Sequence, residues 1–257
     1  MTAAGLHISK VVATRMALVV GTLLVLELLC RLRIIDRITM IPPSEMLHAL
    51  WQILQSGRYN DDIVFTVTNT AAAIVLSIIG GFLAGAVLHA MPRLRRVAEP
   101  LLAAYYAVPI FVFYPLLVVA FGVGRASLIA MGALFGVVAM IVSTMLGLDR
   151  VPPVIAKTAT TMKLDSWTSL VLVRLPAAGP HLVTGIKLAV AYSVIAIVAG
   201  EFILATAGIG KRIAFGYNDF DNHTMYGMLL LLLTLVMVVN GVLSAWERRL
   251  HRRFGLQ

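Results

Sequence analysis

The chain has 257 residues, 60% of them hydrophobic and 13% charged, with 21 Lys and Arg against 12 Asp and Glu for a net charge of +9. Soluble domains carry roughly 25% charged residues, so this composition, with a mean hydropathy of +0.93, excludes an ordinary soluble globule and places the chain in the membrane. Cys30 stands alone, which excludes an intrachain disulfide framework, and no Cys/His spacing reads as a metal site.

A bilayer core takes about 20 apolar residues per helix. About six runs of that size follow one another: Met16 to Leu32, Ile63 to Ala90, Leu101 to Phe121, Ser127 to Leu148, Leu188 to Ala207 and Met225 to Trp246. They are continuous, unlike the alternating strands of about 9 to 11 residues in a barrel, and an open sheet would leave backbone groups unsatisfied in lipid. The expected fold is therefore an all-α integral membrane protein with about six transmembrane helices. Residues 1–257 read as a single transmembrane domain, with no length left for a soluble catalytic domain.

Taken in order, the first run follows Lys10 and Arg15 but precedes Arg31-Leu32-Arg33 with no small-residue cleavage pattern, so it reads as a retained anchor. Glu27 near its end is expected to snorkel or to pair with Arg31, four residues on. Ile41-Pro42-Pro43-Ser44-Glu45 then opens a short helix, with Ser44 as expected cap and Gly57 as stop. Its stripe of Met46, Leu47, Leu50, Trp51 and Leu54 suits either an interfacial helix on the outer face or a helix packed over the span ends.

The third run crowds Tyr105, Tyr106, Pro109, Phe111, Phe113, Tyr114 and Pro115 into one segment. Proline in a membrane helix frees backbone carbonyls that must face protein or water. Tyr105, Tyr106 and Phe111 are thus candidates to line a pathway, the alternative being packing plus an aromatic belt.

Between the fourth and fifth runs, about 148–187, lies a long polar segment with Arg150, Lys157, Lys163, Arg174 and Lys187. Loops of this length without a role are uncommon. Pro152 and Pro153 favour a helix start, and Val154, Ile155, Thr158, Ala159 and Met162 form one semi-apolar face. Lys163-Leu164-Asp165-Ser166 makes a break, and Trp167, Leu170, Val171 and Leu175 form a second face that Pro176 is expected to end. Two short helices in a V project a corner suited to docking a soluble partner; the alternative is an amphipathic pair lying on lipid heads.

The fifth run carries Glu201, whose burial in lipid is expensive unless it faces protein or a water-filled path. A pathway or helix-contact role and a purely structural role both stay open. With six spans and the N-terminus inside, fourteen of the 21 Lys and Arg fall on the cytoplasmic side, which places both termini in the cytoplasm. The basic charge follows from this bias and from attraction to anionic membrane lipid, so nucleic acid is not implied as a partner.

Chemistry is sparse. Histidines 7, 48, 89, 181, 223 and 251 lie apart from one another, none at metal-ligand spacing with another. Gly208-Ile209-Gly210-Lys211 lacks the earlier glycine and the following Ser/Thr of a phosphate loop, and no nucleophile elbow occurs. No catalytic residue and no cofactor-binding motif is found, and the chain is not expected to be an enzyme.

On these residues the chain resembles the permease subunits of bacterial ABC importers, in particular the nitrate, sulfonate and taurine group. Their cytoplasmic signature is Glu-Ala-Ala, three residues, Gly, nine residues, then Ile-x-Leu-Pro. Here Val173-Arg174-Leu175-Pro176 matches its end, and counting back places Lys157-Thr158-Ala159 at the first block and Lys163 at the glycine. Ile41-Pro42-Pro43-Ser44-Glu45, Val108-Pro109 through Phe121-Gly122, Gly200-Glu201 with Gly208-Ile209-Gly210, and Glu247-Arg248-Arg249 extend the likeness over most of the chain from about residue 40.

The resemblance implies the type I ABC importer permease architecture and one half of a translocation path in the prokaryotic inner membrane. Partners would be cytosolic P-loop ATPases that hydrolyse the ATP, a second permease copy or paralogue, and an extracytoplasmic binding protein met by outer loops carrying Asp61, Asp62, Asp219 and Asp221. The corner from Ala159 to Trp167 would be the coupling helix. Lys157 and Lys163 depart from the signature; either the ATPase matches the changed charge, or the chain pairs with a second permease that carries the standard residues. The rival reading is an ion-coupled secondary transporter using Glu201 for protons, against which the lack of a visible repeat argues.

Overall fold

The computed structural model describes residues 3–152, 154, 161–162 and 165–254. Its described elements are helical: α1 (Ala3–Arg31), α2 (Pro43–Ser56), α3 (Asn60–Ala90), α4 (Pro92–Tyr105), a 3-10 turn Ile110–Phe113, α5 (Tyr114–Phe121), α6 (Arg125–Asp149), α7 (Ser166–Ser169), a π-helical stretch Leu170–Arg174, α8 (Leu175–Leu204), α9 (Ile209–Asn218) and α10 (Asn222–Phe254). Among the described residues five stretches are long and apolar enough to cross a membrane, namely Ala13–Arg31, Asn60–Ala90, Arg125–Asp149, Leu172–Ile203 and Asn222–Arg249.

The expected third run is divided. After Tyr105 the chain turns, with Ala107 N–H donating to the Ala104 carbonyl at 3.0 Å. Pro109 is extended, and the chain re-enters through the 3-10 turn into α5, whose first turn accepts Pro115. Pro109 has no N–H to give and its ring disfavours a helical Val108, so a straight helix through this point is blocked. The fifth run differs in the other direction. Pro176 does not end a helix: the π stretch leads directly into α8, and the proline is the second residue of that helix.

The chain packs as two compact units. One comprises residues up to 60 together with 212–235. Here α1 keeps Leu18, Leu24, Val25 and Leu28 exposed, as a lipid-facing helix would, and buries Cys30. Glu27 pairs with Arg31 at 2.7 Å and also accepts the Ser44 N–H at 3.0 Å and hydroxyl at 2.7 Å, tying α1 to α2. Ser44 is therefore not the cap: Pro42 occupies that position without a side-chain bond. Gly57 does stop α2, in the left-handed conformation at φ 61°. The buried face of α2 is Met46, Ala49 and Ile53, and Gly227 lies against Ala49 and Ile53. Leu47, Trp51 and Leu54 are exposed, so part of the expected stripe faces outward. At the start of α10, Asn222 donates to the carbonyls of Arg37 and Ile38 at 2.6 and 2.8 Å, and the Tyr226 hydroxyl donates to Thr39 at 2.7 Å.

The other unit comprises 61–211 and 236 onward. In α3 the buried positions are Asp62, Thr66, Asn69, Thr70, Ala73, Ser77, Gly81, Gly85 and Leu88, whereas Val67, Leu76, Ile79, Leu83 and Val87 are exposed. Lipid is as apolar as leucine, so helices associate through small and hydrogen-bonding residues and leave the large apolar ones outside. Helix α6 is the most enclosed, burying residues on several faces from Ser127 to Leu148. A methyl group on Gly136 would stand 2.6 Å from both Ser77 and Ser193 hydroxyls and 2.8 Å from the Ala189 carbonyl, so α3, α6 and α8 meet there almost backbone to backbone. Ser193 donates to Gly132 and Ser77 to Ala133, each at 3.0 Å. Farther along the interface, Gly185 meets Ser143 and Gly147 meets Ala178 and His181.

Candidate functional site

Three places in the second unit carry most of the residues singled out from sequence. The first is the polar segment between α6 and α8. Lys157, Thr158, Ala159, Lys163 and Leu164 lie outside the described residues. Asp165 caps α7, taking the Thr168 N–H at 3.1 Å and its hydroxyl at 2.5 Å. Ser166 and Trp167 are the first two residues of α7, Arg174 closes the π stretch, and half-buried Leu175 and Pro176 open α8. A proline ring clashes with the carbonyl four residues back. The wider π turn over 170–174 accommodates that ring and marks the matched Val-Arg-Leu-Pro as a local change of helical pitch. Lys187 lies inside α8 and pairs with Glu247 at 2.8 Å.

At the root of this segment is an ion cluster that counting charges did not reveal. Asp149, the last residue of α6, receives Arg95 in a two-pronged contact, Nη1 on Oδ1 at 2.9 Å and Nη2 on Oδ2 at 2.8 Å. His89 Nδ1 lies 2.8 Å from the same carboxylate, and Arg95 Nε donates to Glu99 at 2.6 Å. The Asp149 carboxylate and then Glu99 push the Arg95 guanidinium above its ordinary pKa, so it stays charged throughout. The readable signals were the acid closing an apolar run and the Arg95/Glu99 spacing of four.

The second place is aromatic. Tyr105 and Tyr106 sit 5.6 Å apart edge to face; Tyr106 packs at 5.3 Å from Tyr192 and 6.1 Å from Phe135, which is itself 5.1 Å from Tyr192. The Tyr105 hydroxyl donates to the Leu134 carbonyl at 2.9 Å. Phe111 is half-buried against a core of Ala73, Tyr114, Leu117, Leu128, Met131, Ala196, Ile197 and Ala205, on which Tyr105 and Phe135 also pack. Of the sequence candidates the structure thus joins Tyr105 with Tyr106. It adds Phe135 and Tyr192, one aromatic each from α6 and α8, which nothing in their local sequence distinguished.

The third place surrounds Glu201, fully buried near the end of α8. Its Oε2 accepts the Thr66 hydroxyl at 2.8 Å and the Gly210 N–H at 3.0 Å. Thr66 accepts the Ile209 N–H at 2.8 Å, and Asp62 accepts the Gly208 N–H at 2.9 Å. Three successive amides at the start of α9 are thereby held by side chains of α3 and α8, which also suits the positive end of the α9 dipole. Gly208 is at φ +114°, and a methyl group there would run into the Glu201 carboxyl. Asp62 is buried, which leaves Asp61, Asp219 and Asp221 as the exposed carboxylates of the outer-loop set. Among the described residues no group of three or more His, Cys, Asp or Glu is gathered to hold a metal ion.

Long apolar helices interlocked by small residues, with a polar excursion between two of the most tightly packed, define a multi-pass helical membrane protein. The chain belongs to the family described as binding-protein-dependent transport system inner membrane component, whose profile matches residues 77–255. It is similar to the taurine transport system permease protein TauC of Escherichia coli K12, at 26% identity over 92% of this chain and 89% of that one. It is similar also to the riboflavin transport system permease protein RibX of Chloroflexus aurantiacus, at 27% over 82% and 80%. The nitrate import permease protein NrtB of Synechococcus elongatus matches at 25% over 73% and 68%. The fold matches inward-facing structures of the MetNI methionine ABC transporter, with a TM-score of 0.66 at 18% identity over 78% of this chain and 96% of that one. The resemblance drawn from sequence, an ABC importer permease of the nitrate and taurine group with the type I architecture, holds.

Proposed function

We propose that this chain is the permease subunit of an ATP-driven importer, acting as a single domain that forms half of a substrate path with a second copy or paralogue. A separate cytosolic P-loop ATPase docks on the segment around 148–187 and hydrolyses the ATP, while this chain itself binds no cofactor and carries no catalytic residue. An extracytoplasmic binding protein delivers substrate, and both termini face the cytoplasm of an inner membrane.

The observation that supports this reading is mechanical. The polar segment joins α6 to α8, whose faces interlock at Gly136, Gly147 and Gly185 with no room for sliding. Packed helices of this kind move as rigid bodies. A displacement of Trp167, Asp165 or the Leu175-Pro176 turn by an ATPase would therefore move both helices together, and with them the Tyr105, Tyr106 and Phe111 region that we place beside the path. For Glu201 the bonds to Thr66 and Gly210 favour helix contact over substrate contact. With Lys157 and Lys163 in the signature, either the ATPase offers a complementary, more acidic groove or a second permease carries the standard residues.

Affinity purification of the tagged chain from native membranes in mild detergent tests this. A co-purifying P-loop ATPase is the expected result, and the recovered permeases tell a homodimer from a heterodimer. A chain that comes down alone, with and without nucleotide, sinks the importer reading in favour of an ion-coupled carrier.

A further inference from the structure

We propose that Asp149 is a positioning residue: by clasping Arg95 it ties α4 to the root of the coupling segment, so that displacement of the segment reaches the aromatic cluster at the far end of α4. This inference rests on the importer reading above.

Helix α4 has 14 residues and buries none of them; at 1.5 Å per residue it is about 21 Å long. It is fastened at its two ends. Near its start, Arg95 grips both oxygens of Asp149, the residue immediately before the Arg150-Val151-Pro152 entry into the segment. At its close, the Tyr105 hydroxyl bonds the Leu134 carbonyl, and Tyr105 meets Tyr106 edge to face; Tyr106 packs on Tyr192 of α8. Between these points Ala98 and Leu102 pack, half-buried, against the Leu88, Ile141 and Met145 cluster. The one-residue link at Met91 and the His89 contact to Asp149 bring the end of α3 to the same point. A two-pronged guanidinium–carboxylate contact fixes direction as well as distance. Yet Arg95 and Asp149 retain 27% and 31% of their side-chain exposure, so the pair holds little of the fold. A contact that orients strongly but stabilises weakly fits transmission better than scaffolding.

The test uses the permease–ATPase complex in lipid nanodiscs with a single bimane probe on V108C, in a background where Cys30 is replaced, since bimane reports nearby tyrosines by quenching. Addition of ATP, then of ADP with vanadate, should change the emission of the otherwise wild-type complex. Asp149→Asn should reduce that change by about fivefold, a loss within the range of coupling mutations, while ATPase co-purification and the melting temperature stay as in the parent. Arg95→Gln should match it, and the double variant should be no worse than either single one. Asp149→Glu should restore part of the response. An undiminished response in Asp149→Asn overturns the inference, as does a parent complex that assembles but gives no response at position 108. If both Asp149→Asn and Arg95→Gln fail to assemble, the clasp is scaffolding and the inference falls. A parent chain that captures no ATPase overturns the importer reading itself, and this inference with it.

Discussion

Two acidic residues show how much a single carboxylate decides in this chain. Glu201 is buried because its Oε2 takes the Thr66 hydroxyl and the Gly210 amide. Glu201→Ala would strand both donors, at about 1 to 3 kcal/mol each, and should lower the melting temperature of the detergent-purified protein. Glu201→Gln keeps an acceptor oxygen and should melt near the parent. An importer should also retain nucleotide-driven activity in Glu201→Gln, whereas a proton-coupled carrier using this group should lose it. Asp221 acts outside the span, where it takes the Thr224 N–H at 3.1 Å and caps α10. Partial burial pushes its carboxyl up, but the bonds from Thr224 and the charge and amide of His223 together outweigh that and leave it below the ordinary value. Its stabilisation is therefore fully present above about pH 3.9, the ordinary aspartate value, and is lost as the pH falls through the lowered one. Asp221→Ala should cost about 1 kcal/mol in neutral thermal melts, and the gap from the parent should close in acid.

Among elements, the α3–α6–α8 contact carries the tightest packing. Because Gly136 faces two hydroxyls and a carbonyl within 2.8 Å of where a methyl would sit, Gly136→Val must part helices that have no slack. Overpacking of this kind costs about 1 to 3 kcal/mol, and the variant should show faster proteolysis in detergent together with a lower melting temperature. The stripe responsible was legible in α3, where Thr66, Asn69, Ala73, Ser77, Gly81 and Gly85 recur every three or four residues through an apolar run. Counting apolar residues finds the span but passes over this stripe, since in lipid the small and polar side is the inner one. The broken third run was half legible: the prolines announced a distortion, but the extended Pro109 and the 3-10 re-entry depend on what α5 packs against. At Pro176 the local rule pointed the wrong way, because a π turn relieved the clash that would have ended the helix.

For the whole molecule, the importer reading separates folding from docking. Replacing residues 154–165 by a Gly/Ser linker of equal length should leave the melting temperature within a few degrees of the parent, because helix pairing here rests on contacts between spans. The same replacement should abolish co-purification of the ATPase. Loss of both together would assign the segment to the fold instead.

The amino-acid sequence by itself determined that this is a helical membrane protein, where most of its spans begin and end, and which polar segment stands out, because apolarity, loop charge and turn residues are local properties. The importer family was legible from motifs scattered over most of the chain. Tertiary structure alone decided which side of each helix faces inward, that Glu201 holds the start of α9, that Ser44 serves Glu27, and that Arg95 meets Asp149 across 54 residues of sequence. Each of these joins groups distant along the chain, and a hydrogen bond between such groups leaves no periodicity for a sequence to show.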